Sequence, residues 1–195
     1  MITSLARYIA VFLFKNNIID GEKLDIYIYG FEIIISSSIN ITMAIILGIL
    51  LSQLVECFIF LISFILLRKY CGGYHASTYL KCNIIFAINI VIVMLALKIG
   101  ITADIYIHYI LCLISIIVFW FFAPVENKYK PLNSDEKKKY RKLAIMIGSF
   151  FIFISSVLRC ISLSFSVIIN MTLISVAVAM VVEILMKGDW KDEEC

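Results

Sequence analysis

LSFSVIINMTLISVAVAMVVEILM, residues 163–186, is an almost unbroken apolar run whose one ionisable residue is Glu183. A run of roughly 18 or more apolar residues reads as a membrane-spanning segment. Within lipid the backbone must satisfy its own hydrogen bonds, so such a run folds as a helix. Working outward, five more runs share this character: Phe31–Leu51, Leu54–Leu67, Asn83–Leu97, Ile105–Phe122 and Leu143–Val157. The runs at 54–67 and 83–97 are short, so flanking polar residues must extend them or they cross only in part. Of the 195 residues 63% are hydrophobic and the mean hydropathy is +1.03, against about 45–50% apolar in soluble domains. The expectation is an all-α, polytopic integral membrane protein with about six transmembrane helices. It forms one membrane-embedded domain over residues 1–195, without repeats or a separate soluble domain.

Ahead of the first run, Ile2, Leu5, Ile9, Phe12 and Leu13 recur at helical spacing, with Arg7 and Lys15 elsewhere on the wheel. The apolar core is too short for a signal peptide and no small-residue cleavage site follows. An amphipathic helix on the inner leaflet, within residues 1–22, fits better. With six crossings and a cytoplasmic N-terminus, every lysine and arginine except Lys98 and Arg159 falls on the cytoplasmic side. The positive-inside rule selects that orientation. Both chain ends, the segment 68–82 and the basic loop 124–142 then share the cytoplasmic face of the membrane.

The net charge of +3 is no argument for nucleic acid, because the basic residues are placed as topology determinants. Lys137–Lys139 follow Asp135 and Glu136, as in a solvated helix start facing anionic lipid. An electrostatic dock for an acidic peptide is the other reading. The six cysteines form no CxxC pair, and a reducing or intramembrane setting argues against a disulfide framework. Cys57, Cys112 and Cys160 read as small apolar residues in or near spans, and Cys195 as incidental. His75 and His108 fall on opposite sides, and no carboxylate cluster joins either, so neither a metal nor another cofactor is expected.

The polar stretch Arg68-Lys69-Tyr70-Cys71-Gly72-Gly73-Tyr74-His75-Ala76-Ser77-Thr78-Tyr79-Leu80-Lys81-Cys82 carries the chemistry. A thiol and an imidazole are the minimum for cysteine nucleophilic catalysis. Gly72-Gly73 frees the backbone from the second span, and Ser77 is a plausible N-cap for the third. Cys82 then sits in about the second turn, near the positive end of the helix dipole. A seven-residue helical spacing separates the two groups by about 10.5 Å at ~1.5 Å per residue, too far for a hydrogen bond. His75 folded back over the helix start would close that gap. A boundary histidine near a core cysteine, without catalysis, stays open on spacing alone. Cys71 is a rival nucleophile, although glycines separate it from His75.

Arg68…Gly72-Gly73-Tyr74-His75…Cys82 resembles the core motif of the AgrB family, membrane endopeptidases of bacterial peptide quorum sensing. A second match is Ala123-Pro124, then Lys128, Lys130-Pro131 and the basic run Lys137–Lys142. Chain length, span pattern, the amphipathic start and Glu183 in the last span also fit, so the resemblance covers essentially the whole chain. It implies cleavage of an AgrD-like precursor peptide on its C-terminal side, with Cys82 as nucleophile and His75 as general base. A thioester acyl-enzyme then yields a thiolactone or lactone autoinducing peptide. It also suggests a homodimer. Ser77, Thr78 and amides at the helix start are oxyanion donors by position only. Arg68 could hold a substrate carboxylate or the fold, and Glu32 and Glu183 could pair with Arg68 or Lys81. The reading from a different class is a small membrane transporter or scaffold, its path lined by residues such as Ser36–Ser38, Asn40, Thr42, Asn89 and Asn170.

Overall fold

The computed structural model describes residues 2–73, 78–100, 105–125 and 132–191. They form seven α-helices and no strand: α1 (Ile2–Lys15), α2 (Leu24–Leu50), α3 (Leu54–Cys71), α4 (Tyr79–Ile99), α5 (Ile105–Phe122), α6 (Ser134–Leu158) and α7 (Leu163–Lys191). Each of the six apolar runs becomes one helix, α2 to α7. Four of these are long and apolar enough to cross a membrane: α2, α4, α6 and α7. The apolar part of α5, Tyr106–Phe122, is shorter. Helix α3 carries Glu56, Arg68 and Lys69 within its 18 residues. Both short runs are extended by polar flanks, α3 through Arg68 to Cys71 and α4 back to Tyr79.

Helices α3 and α7 pack along each other at the centre of the bundle. Helices α2 and α4 flank them on one side, α5 and α6 on the other. Phe60 and Leu67 of α3 and Ile168, Leu173 and Met180 of α7 are fully buried. Of the apolar stretch of α7, 56% is buried, against 17% for α2, so α7 is an interior helix and α2 a peripheral one. The outward faces are apolar: Ile46, Ile49, Ile92, Ile110, Ile117 and Phe153 are all exposed. A surface of that extent suits lipid rather than water.

Polar residues inside the bundle bond to each other across helices. The Ser155 hydroxyl on α6 lies 2.6 Å from Asn170 Oδ1 and 2.9 Å from Ser166 Oγ, both on α7. Ser175 on α7 donates to Asn89 Oδ1 on α4 at 3.1 Å. Interhelical bonds of this kind hold membrane helices together where the hydrophobic effect gives no preference between helix and lipid.

Helix α1 lies against α2. It buries a ridge of small residues, Ala6 and Ala10, while Leu5, Tyr8 and Phe12 remain exposed. The apolar face read from the sequence is therefore largely free for lipid, and alanines make the protein contact. Helix α6 starts at Ser134, where the Asn133 N–H donates to the Glu136 carboxylate at 2.9 Å. Lys137–Lys142 thus ride on the first turns of a helix, not in a loop.

Candidate active site

Helix α3 stops because Gly72 adopts φ 75°, ψ −147°, a conformation side chains rarely allow. Its N–H closes the last turn on the Arg68 carbonyl at 3.0 Å. A Cβ at Gly72 would collide with the carbonyl of Val125. The Val125 N–H in turn donates to the Cys71 carbonyl at 2.9 Å. Ala123 is fully buried, and Arg141 Nε of α6 donates to its carbonyl at 2.8 Å. The two sequence motifs therefore meet: the glycine pair closes on the Ala123-Pro124-Val125 segment. Gly73, at φ 135°, leaves room for Ala179 of α7 and the Arg68 guanidinium, 3.6 and 3.9 Å from where its Cβ would stand.

Helix α4 begins at Tyr79 with Thr78 as N-cap, its side chain accepting from the Lys81 N–H at 3.3 Å. The cap is one residue later than Ser77, the residue expected from sequence. The Cys82 N–H makes the first intrahelical bond, to the Thr78 carbonyl at 3.1 Å. Cys82 is therefore the fourth residue of the helix, in its first turn rather than its second, and it is half-buried. The dipole field is strongest there.

Two rungs join this helix start to α2. The Tyr79 hydroxyl donates to Glu32 Oε2 at 3.0 Å, and the Ser36 hydroxyl donates to Asn83 Oδ1 at 2.9 Å. Ser36 and Asn83 are both buried. Each rung is one helical turn beyond the other on both helices, so α2 and α4 run in the same direction.

Arg68 is half-buried at the end of α3, its guanidinium 5.6 Å from the centre of the Phe64 ring. Its ionisable neighbours are Cys82 and Glu183. Glu183 is buried near the end of α7. Below Arg68, Phe64 lies 5.5 Å from Phe60 and 5.3 Å from Phe86, an aromatic layer between α3 and α4. A cation beside a thiol at a helix start, backed by a buried carboxylate and an apolar floor, can stabilise negative charge developing at that thiol. Cys71, by contrast, is fully buried, out of reach of a substrate.

Cys82, Arg68, Gly72, Gly73, Glu32 and Glu183 thus come to one end of the bundle, at the end of α3, the start of α4 and the matching ends of α2 and α7. His75, Ser77, Lys128 and Lys130 lie outside the described residues. Among the described residues no group of three or more His, Cys, Asp or Glu could hold a metal ion. Sequence reading passed over Tyr79, Asn83, Arg141 and Val125. A signal existed for the first two. Glu32/Ser36 and Tyr79/Asn83 repeat one i, i+4 polar spacing on two apolar helices.

Fold and site together define an all-α membrane protein that gathers a thiol, a guanidinium and a carboxylate at one end of its helix bundle. The model of the family AgrB, accessory gene regulator B, matches residues 6–186, and the chain belongs to that family. It is 30% identical over 162 residues to AgrB-like protein 2 of Clostridium perfringens strain 13, covering 79% of this chain and 75% of the relative. An AgrB-like protein of Clostridium perfringens strain SM101 is 30% identical over 86% of this chain and 83% of its own length. Protein FsrB of Enterococcus faecalis strain OG1RF is 28% identical over 60% of this chain and 49% of its own length. No solved structure matches. This membership supports a role in processing the peptide signal of accessory gene regulator quorum sensing.

Proposed function

We propose that this chain is a membrane cysteine endopeptidase that cleaves an AgrD-like precursor and passes the acyl group on to form a ring. The observation that carries the reading is Cys82 in the first turn of α4 beside Arg68, within a family devoted to such peptides. Cys82 Sγ attacks the scissile carbonyl carbon, and His75 takes the thiol proton. As the tetrahedral intermediate collapses, His75 returns that proton to the departing amine. The C-terminal fragment leaves and a thioester joins the precursor to Cys82. An internal thiol or hydroxyl of the precursor then gives its proton to His75 and attacks that carbonyl. Cys82 leaves, takes the proton back from His75, and a thiolactone or lactone is closed. Water is not consumed. Exchange of one thioester for another is nearly balanced, whereas making a thioester from an amide is uphill, so removal of the fragment draws the first step forward. An apolar floor beneath the site limits access of water to the thioester.

In this reading Arg68 steadies the negative charge that develops at Cys82, and Glu183 holds Arg68 in place. Lys128 and Lys130 meet the acidic part of the precursor, and Ser77 is a donor to the oxyanion. The site, both chain ends and segment 124–142 face the cytoplasm. The whole chain acts as one domain and pairs as a homodimer in the cell membrane. The transporter reading has less support, because Ser155, Ser166, Asn170, Asn89 and Ser175 bond to one another instead of lining an open path.

The test supplies an AgrD-like precursor to the protein in liposomes. Cys82→Ala and His75→Ala each abolish cleavage while insertion is retained, and Cys82→Ser, a weaker nucleophile, is equally inactive. A precursor fragment is trapped on the wild-type Cys82 and released by hydroxylamine. Cleavage by either alanine variant sinks the catalytic assignment.

A further inference from the structure

The rungs between α2 and α4 have no part in the chemistry just described, yet they bracket its nucleophile. Tyr79 stands three residues before Cys82 and Asn83 immediately after it. At about 100° per residue, Tyr79 and Asn83 share one face of α4, and Cys82 lies about 60° from Tyr79 and about 100° from Asn83, on the flank of that face. The hydrogen bonds put the Tyr79/Asn83 face against α2. The rungs thereby fix Cys82 to the side of the α2 contact, with Arg68 among its neighbours. The N-cap bond of the first turn of α4, from the Lys81 N–H to the Thr78 side chain, is long, at 3.3 Å. Local bonds alone hold that turn weakly, because helix ends lack partners for their first amides.

We propose that Ser36 and Glu32 of α2 are positioning residues for the Cys82 thiol, acting through Asn83 and Tyr79. The pair Ser36–Asn83 is the stronger member. Both side chains are buried, at 8% and 5% exposure, and a buried bond cannot be replaced by water at no cost. Removing the Ser36 hydroxyl leaves Asn83 Oδ1 without its donor. Asn83 must then seek another, and α4 turns about its axis with it. A reacting atom misplaced by about 1 Å loses up to about 100-fold in rate. The Tyr79–Glu32 rung, half-buried, sets the height of the same turn along α2. The proposal rests on the peptidase reading for its kinetic consequence but not for its geometric one.

The experiment therefore reads two quantities on the full chain in liposomes. One is turnover of an AgrD-like precursor. The other is the alkylation rate of Cys82 by iodoacetamide, followed at the Cys82 peptide by mass spectrometry. Ser36→Ala is expected to lower kcat by about 10- to 100-fold with KM within about two-fold, and to change the Cys82 alkylation rate. Ser36→Thr, which restores the hydroxyl, recovers most of both. Tyr79→Phe, which removes only an oxygen, gives a smaller change of the same kind and serves if Ser36→Ala fails to insert. Inserted Ser36→Ala and Tyr79→Phe proteins with wild-type kcat and alkylation rate overturn the proposal. So does a loss that Ser36→Thr does not recover. If Cys82→Ala still cleaves, the peptidase reading falls while the alkylation rates still decide the positioning.

Discussion

Gly72→Ala tests whether the two motifs work as one unit. Gly72 occupies φ 75°, ψ −147°, a region essentially reserved for glycine and costing about 1–3 kcal/mol for another residue. Its new Cβ would also collide with the Val125 carbonyl. To relieve that, the Ala123–Val125 segment must move off the end of α3. The bond from the Val125 N–H to the Cys71 carbonyl goes with it, a further loss of about 0.5–1.5 kcal/mol. The sum, about 1.5–4.5 kcal/mol, lowers the docked population by roughly 10- to 1000-fold at 1.4 kcal/mol per decade. Hydrogen exchange of the Val125 amide reads this directly, since its protection reports opening of that contact. Gly100→Ala is the control. It shares a positive φ, 74°, and lies at the end of α4 with nothing within 4 Å of its Cβ position. It costs about 1–2 kcal/mol of backbone strain and leaves Val125 protection and precursor cleavage unchanged. If Gly72→Ala exchanges Val125 as slowly as the wild type and Gly100→Ala do, the close approach is not what glycine is for at this position.

Two other substitutions separate packing from local preference. At Gly148 on α6 a Cβ would stand 2.6 Å from Ile116 Cδ1 and 3.1 Å from a ring carbon of the fully buried Phe119. Overpacking costs about 1–3 kcal/mol, more than the gain of about 1 kcal/mol in helix propensity, so Gly148→Ala lowers the melting temperature in detergent. Gly30→Ala on α2, where nothing lies within 4 Å, raises it by the propensity gain alone. Equal shifts in the two variants contradict the packing assigned to the α5–α6 contact. Arg141→Ala removes the charged donor to the Ala123 carbonyl, a bond of about 1.5–3 kcal/mol reduced by exposure of the arginine. The Val125 amide exchanges faster in this variant and cleavage falls, whereas Lys142→Ala, one residue on, changes neither. Unchanged Val125 protection in Arg141→Ala removes Arg141 from the docking.

The helices were legible because lipid leaves the chain few choices. Runs such as 163–186 become helices whatever packs against them, and polar flanks only decide where they end. The interior position of α3 was not legible. With Glu56, Arg68 and Lys69 among its 18 residues it is not one of the four helices apolar enough to cross a membrane by composition. It is central because Cys57, Phe60, Phe64, Leu67 and Cys71, spaced by three or four, turn one stripe inward against α7. Mean hydropathy is blind to that spacing. The site divides in the same way. Cys82, Arg68 and the glycine pair stand out as a polar island. Val125 and the Ala123 carbonyl act through backbone atoms, and no side chain in the sequence announces them. Tyr79 and Asn83 looked like ordinary residues of an apolar helix until their partners on α2 were known.

The arrangement also explains why the site stands at the end of the bundle and not within it. A guanidinium and a carboxylate at mid-membrane would be costly, by about 2.5–3.5 kcal/mol each on insertion scales. At the end of the bundle Arg68 stays partly exposed with its guanidinium over the Phe64 ring, and Glu183 offsets its charge. The aromatic layer of Phe60, Phe64 and Phe86 closes the apolar interior directly beneath. Such a boundary fixes depth but not rotation, since a helix in lipid can turn about its axis without exposing apolar surface to water. Rotation must be set by directional bonds. For α4 those bonds are Ser36–Asn83 and Tyr79–Glu32 near the site and Ser175–Asn89 two turns further in. Three polar contacts to two neighbouring helices give α4 one angle, and that angle decides where the Cys82 thiol points.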